Sequence, residues 1–196
     1  MIYPISIKRT IDSSLEPITL AEAKTHLRVD HSNDDSYITT LISVARQSIE
    51  ISTGRALGAS QTFVAGYQYL PYGYDRLVIP RPPLVSVTSF KFFDNNEDEQ
   101  TVDSSKFEID SSGNNCALIS MNDDFGYPTL SIYKEARVLI TFTAGSDSIP
   151  KPLHQAMLLL ISHYYDTREP VAYNANPLKV PRSVDFLCNQ HKIRRG

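Results

Sequence analysis

Residues 17–57, PITLAEAKTHLRVDHSNDDSYITTLISVARQSIEISTGRAL, constrain the fold more than any other stretch, because they read as a short helix followed by a long one. Thr19 and Glu22 make a T-x-x-E capping box, in which each side chain satisfies a backbone N–H of the first turn. Leu20, Ala23 and Leu27 then share one face. Ser32 with Asp35 repeats the start signal, and Tyr37, Ile38, Leu41, Ile42, Ala45 and Ile49 recur at helical spacing. Gly54 supplies the residue that leaves a helix with positive φ at no steric cost. The stretch holds an apolar stripe and no catalytic grouping, which is how a docking element reads.

After Gly58 the texture changes to aromatic and β-branched runs punctuated by turn residues, the pattern of an antiparallel sheet. Strands are expected at Thr62–Tyr69, Leu77–Ile79, Val85–Phe93, Thr101–Val102, Phe107–Ile109, Ala117–Ile119 and Val138–Phe142. The acidic run Asp94–Glu99 forms a hairpin tip, and a second turn spans residues 111–115. Helical periodicity returns at Pro152, whose missing N–H costs nothing in a first turn. It continues through Leu153, Ala156, Met157, Leu160, Ile161 and Tyr164, and Pro170 stops it. Residues 170–180 read as a loop, and Pro181 opens a last short helix carrying Val184, Leu187 and Cys188. The expectation is an α+β fold: a helical core of residues 1–58 and 146–196 carrying a β-rich insertion at 59–145.

A chain of 196 residues buries a substantial core without disulfides or a cofactor. Hydrophobic residues make up 41% and charged ones 21%, a globular rather than disordered or membrane-like balance. The longest apolar run, Ala156–Ile161, is far short of the roughly 20 residues that cross a bilayer, and the start MIYPISIKRT lacks the pattern of a secretion signal. Cys116 and Cys188 read as two free thiols in a reducing compartment. A net charge of −3 argues against coating nucleic acid, and the one basic cluster is the terminal His191-Lys192-Ile193-Arg194-Arg195.

Motifs for chemistry are missing. The oxygen-rich run Asp30–Asp35 lacks the glycine and the closing glutamate of a calcium loop, and helix capping accounts for it. There is no nucleophile elbow, H-E-x-x-H, C-x-x-C, phosphate loop or dinucleotide turn, so none of His26, His31, His154, His163 and His191 sits in a catalytic setting. The expectation is no enzyme, no metal and no cofactor. Eleven tyrosines, with Tyr67, Tyr69, Tyr72, Tyr74 and Tyr127 near turns or strand ends, suit either strand packing or a protein-facing surface.

Several strings in this order resemble the head-tail connector (adaptor) proteins of tailed bacteriophages and prophages. They are PITLAEAKTHLRVD at 17–30, STGRAL at 52–57, IPRPPLVSVTSFKFFD at 79–94, ITFTAGSDSIPKPLHQAMLLLISHYYDTRE at 140–169 and VPRSVDFLCNQHKIR at 180–194. The polar Cys188-Asn189-Gln190-His191 departs from the apolar tail of that pattern. The resemblance implies a helical core with a β-rich insertion and a ring, dodecameric in the virion, beneath the portal protein. Such a ring extends the DNA channel without sequence-specific binding and presents a surface to a tail or stopper protein. It also implies no catalysis, no membrane partner, and a place at the head-tail interface of a virion made in the host bacterial cytoplasm. A ring needs two different complementary faces on each subunit. Arg46, Glu50 and Arg55 on the second helix are candidates for that contact, and Arg182, Lys192, Arg194 and Arg195 for docking on the portal. A rival reading, a DNA-binding module using the N-terminal helix pair, is disfavoured because that helix offers only Arg46 before Arg55. A hydrolase or metal enzyme on the β module is the other rival.

Overall fold

Helices and antiparallel sheets segregate along the chain, giving an α+β fold. A computed structural model describes residues 1–112, 116–167 and 182–193. The elements are β1 Ser6–Ile11, α1 Leu20–Leu27, α2 Asp35–Thr53, β2 Gly58–Tyr67, β3 Leu77–Ile79, β4 Leu84–Phe93, β5 Glu99–Thr101, β6 Phe107–Asp110, β7 Ala117–Met121, β8 Val138–Ser146, α3 Lys151–Asp166 and α4 Arg182–Asn189. Two compact units result, one of residues 1–14 with 60–146 and one of 15–59 with 147–196.

The β unit holds a five-stranded sheet in the order β1-β2-β8-β4-β5 and a three-stranded sheet in the order β3-β7-β6. Alternation decides its core. Phe63 and Ala65 of β2, Phe90 of β4, and Val138, Ile140 and Phe142 of β8 are buried, while the residues between them are less so. Tyr67 is fully buried and donates its hydroxyl to the Val78 carbonyl at 2.8 Å, which satisfies the one polar atom it brings inside. Burial, with a smaller contribution from Cys116, pushes its phenol well above the ordinary tyrosine range.

The N-terminus differs from expectation. Residues 1–14 belong to the β unit rather than the helical core, because β1 pairs antiparallel with β2, Ser6 opposite Gly66 and Arg9 opposite Phe63. The closeness of that pairing is visible at Gly66. A Cβ there would stand 2.6 Å from Ser6 Oγ and 2.9 Å from Ala136 Cβ. Gly66→Ala should therefore destabilise the β unit by about 1–3 kcal/mol, read as a lower urea midpoint; an unchanged midpoint would refute the close approach.

The helical unit buries Ile38, Ile42 and Ile49 of α2 against Leu153, Met157 and Ile161 of α3, with Val184 and Cys188 of α4 joining the same cluster. At α1, Thr19 Oγ1 accepts the Glu22 N–H at 3.2 Å, which is the first half of the expected capping box. The Glu22 carboxylate lies 2.9 Å from His154 Nε2 on α3. At α2 the cap moves. Helix begins at Asp35, the cap position is Asp34, and Ser32 contributes its backbone carbonyl to the Asp35 N–H rather than its hydroxyl. The two carboxylates instead brace helices: Asp34 accepts from Tyr165 Oη at 2.6 Å, and Asp35 pairs with Lys24 Nζ at 2.6 Å. Gly54 closes α2 at φ 77°, its N–H on the Glu50 carbonyl. The expected turn at 111–115 and loop at 170–180 fall partly or wholly outside the described residues.

Candidate assembly surfaces

Two of the three residues expected at a subunit contact are interior. Arg46 and Glu50, one turn apart on α2, are each 1% exposed. The Arg46 guanidinium grips Glu16 with two nitrogens, Nε at 2.8 Å and Nη2 at 3.2 Å, and reaches Glu50 with Nη1 at 3.2 Å. The other Glu50 oxygen accepts the Leu57 N–H at 2.8 Å, in the chain that leaves α2. Arg46 and Glu50 are therefore not surface contacts but an internal clasp tying both flanks of α2 to its middle. The fork geometry of Arg suits this two-carboxylate arrangement. Glu16, the third member, precedes any helical periodicity, so no local pattern marks it. Arg55 is half-buried and donates Nε to the His191 carbonyl at 2.7 Å.

That bond belongs to a C-terminal fastening. The Ile193 N–H donates to the Thr53 carbonyl at 2.8 Å, and a Cβ added at Gly54 would meet the Ile193 side chain at 3.5 Å. Of the residues expected to dock on the portal, Arg182 is exposed at the start of α4 and Lys192 is exposed beside the fastening, while Arg194 and Arg195 lie outside the described residues.

Burial of Arg46 also settles what α2 offers to nucleic acid. It is the only Lys or Arg between Asp35 and Thr53, so α2 presents no cationic side chain to solvent. A recognition helix cannot work that way. The outer face of α2 instead shows Val44 and Ile51, and α4 shows Phe186. On the β unit, Tyr72, Tyr74 and Tyr133 are strongly exposed, and Tyr72 meets Tyr127 edge-on at 5.0 Å between ring centres. Of the tyrosines singled out by sequence, Tyr67 is core and Tyr69, Tyr72, Tyr74 and Tyr127 are surface.

The titratable groups are tuned by structure-making bonds. Asp94 is held below the usual carboxylate range chiefly by the Gln100 side chain, then by the N–H groups of Asn96 and Asp98. Asp103 and Asp110 are lowered likewise by Ser105 and Ser112. Burial raises the Cys188 thiol, which keeps it protonated and a poor nucleophile. Among the described residues, no group of three or more His, Cys, Asp or Glu side chains is placed to hold a metal ion.

Residues 17–110, which run from just before α1 to the end of β6, match the family model described as phage gp6-like head-tail connector protein. No curated protein matches the chain in sequence. Among solved structures, the fold is similar to a chain in the virion of a native gene transfer agent particle, with a TM-score of 0.76. It is similar also to chains in the neck of the empty particle computed with C6 symmetry, TM-score 0.74, and in the neck of the native particle computed with C12 symmetry, TM-score 0.73. Each shares 23% identity and aligns over 98% of this chain and 97% of the other, so the likeness covers both units and establishes the fold. Over residues 17–110, just under half of its length, the chain is thus similar to the phage gp6-like head-tail connector proteins.

Proposed function

We propose that this protein is a structural connector at the head-tail interface of a tailed phage or phage-derived particle. Copies form a ring under the portal, lengthen the channel through which DNA passes, and offer a surface to a tail or stopper protein. It is made in the host bacterial cytoplasm and works without a cofactor. The observation that carries this reading is the family match over residues 17–110. The C6 and C12 symmetry of the necks that contain similarly folded chains supports the ring. A net charge of −3 and a cation-free α2 agree with a wall that DNA slides past, since gripping phosphates would hold it back.

Docking on the portal is assigned to Arg182, Lys192, Arg194 and Arg195. Removing residues 189–196 would also strip out the Ile193 to Thr53 bond and the carbonyl that Arg55 holds. The clean variant ends the chain after Ile193 and carries Arg182→Glu and Lys192→Glu. Its affinity for the portal, measured by sedimentation at low salt, should fall at least about tenfold while its circular dichroism stays that of the parent. Unchanged affinity would remove these residues from the portal contact.

A further inference from the structure

The five-stranded sheet ends in two unlike edges. Closed barrels have none, but the order β1-β2-β8-β4-β5 leaves β1 on one side and β5 on the other, four strand spacings or about 19 Å apart. The β1 edge, SIKRTI, is basic: Lys8 is exposed, and Arg9 beside it is anchored to Asp12 at 2.7 Å. Exposed Ile5 precedes it and exposed Ile11 ends it, which is not how an edge guarded against pairing looks. The β5 edge is acidic. All three of its residues are exposed; Glu99 is paired with Lys91 Nζ at 2.6 Å, and among the described residues the uncompensated acids are Glu97 and Asp98, exposed in the turn that leads into it. Asp94 holds that turn, accepting the N–H groups of Asn96 at 2.9 Å and Asp98 at 3.1 Å on one oxygen and the Gln100 amide at 2.9 Å on the other. A turn fixed in this way loses little further freedom on docking.

We propose that β5 and its acidic turn in one copy of this chain add to the β1 edge of the next copy, so that the five-stranded sheets join edge to edge around the ring. The inference rests on the ring reading above and names where its subunits meet. A ring requires a heterologous contact between two different patches, and the two edges of one sheet meet that requirement. Strand addition supplies backbone hydrogen bonds, and the opposite charges fix which edge meets which. The outer edge of the second sheet, β6, also carries acids in Glu108 and Asp110, so it is the competing partner for β1.

The test compares the full chain with Lys8→Glu, with Glu97→Lys/Asp98→Lys, with all three changes together, and with Glu108→Lys, by sedimentation velocity in the presence of the portal protein. All four positions are exposed, so the fold should hold, and circular dichroism checks it. The Lys8 variant and the Glu97/Asp98 variant should each raise the half-assembly concentration about tenfold, and their combination should return it to within about threefold of the parent. Glu108→Lys should leave assembly unchanged. Parent-like assembly of the first two variants, failure of the combination to restore it, or loss with Glu108→Lys would each overturn the edge contact while leaving the ring standing. A parent protein that never assembles would overturn the ring itself.

Discussion

Arg46→Ala is expected to cost the helical unit about 3–5 kcal/mol, a large share of the 5–15 kcal/mol that holds a typical domain folded. The guanidinium is 1% exposed and serves two carboxylates, so its removal leaves Glu50 buried without its cation and opens a cavity along the side chain's path. Removing Glu50 as well would not restore stability, because the Leu57 N–H would then lose its acceptor. Arg46→Lys should cost less but remain destabilising, since a single ammonium cannot reproduce the two-nitrogen grip on Glu16. Urea unfolding followed by circular dichroism, with amide exchange to locate the loss in α2, checks this. A cost under about 1 kcal/mol for Arg46→Ala would show that the clasp does not hold the unit together.

The second large effect lies in the β unit. Phe142 of β8 is fully buried and stacks on Phe63 of β2, with ring centres 5.5 Å apart and planes inclined by 21°. Phe142→Ala should cost about 3–5 kcal/mol, combining lost transfer energy with the cavity left behind. About 0.5–1.5 kcal/mol of that belongs to the ring pair. Phe142→Leu keeps most of the volume and should cost less than about 2 kcal/mol. Amide exchange should speed up first in β2 and β8. Loss confined to the helical unit instead would contradict the assignment of β8 as the centre of this core.

Signals confined to one turn or one strand were legible in the sequence. Thr19 caps α1, Gly54 closes α2, and Leu77–Ile79 is a strand at the expected residues. What depended on distant partners was not. The segment SIKRTI has two cations and no clean alternation, and it is a strand only because β2, whose Gly66 faces Ser6, lies some sixty residues on. Arg46 reads as a candidate for a subunit contact until Glu16, thirty residues earlier, is brought beside it. Ser32 and Asp34 are both good cap residues, yet Asp34 takes the cap position without a side-chain capping bond, its carboxylate accepting from Tyr165 instead. For the candidate surface, the sequence left the five tyrosines open between packing and exposure, and the packed units decided it, burying Tyr67 and exposing the other four, just as they placed Arg46 and Glu50 inside.

Electron microscopy of the protein mixed with its portal protein, with class averages searched for rotational symmetry, tests the central claim most directly. A connector should appear as a closed ring of subunits capping the portal, coaxial with its channel. Particles showing a bare portal, with this protein free and no ring either alone or in the mixture, would contradict it.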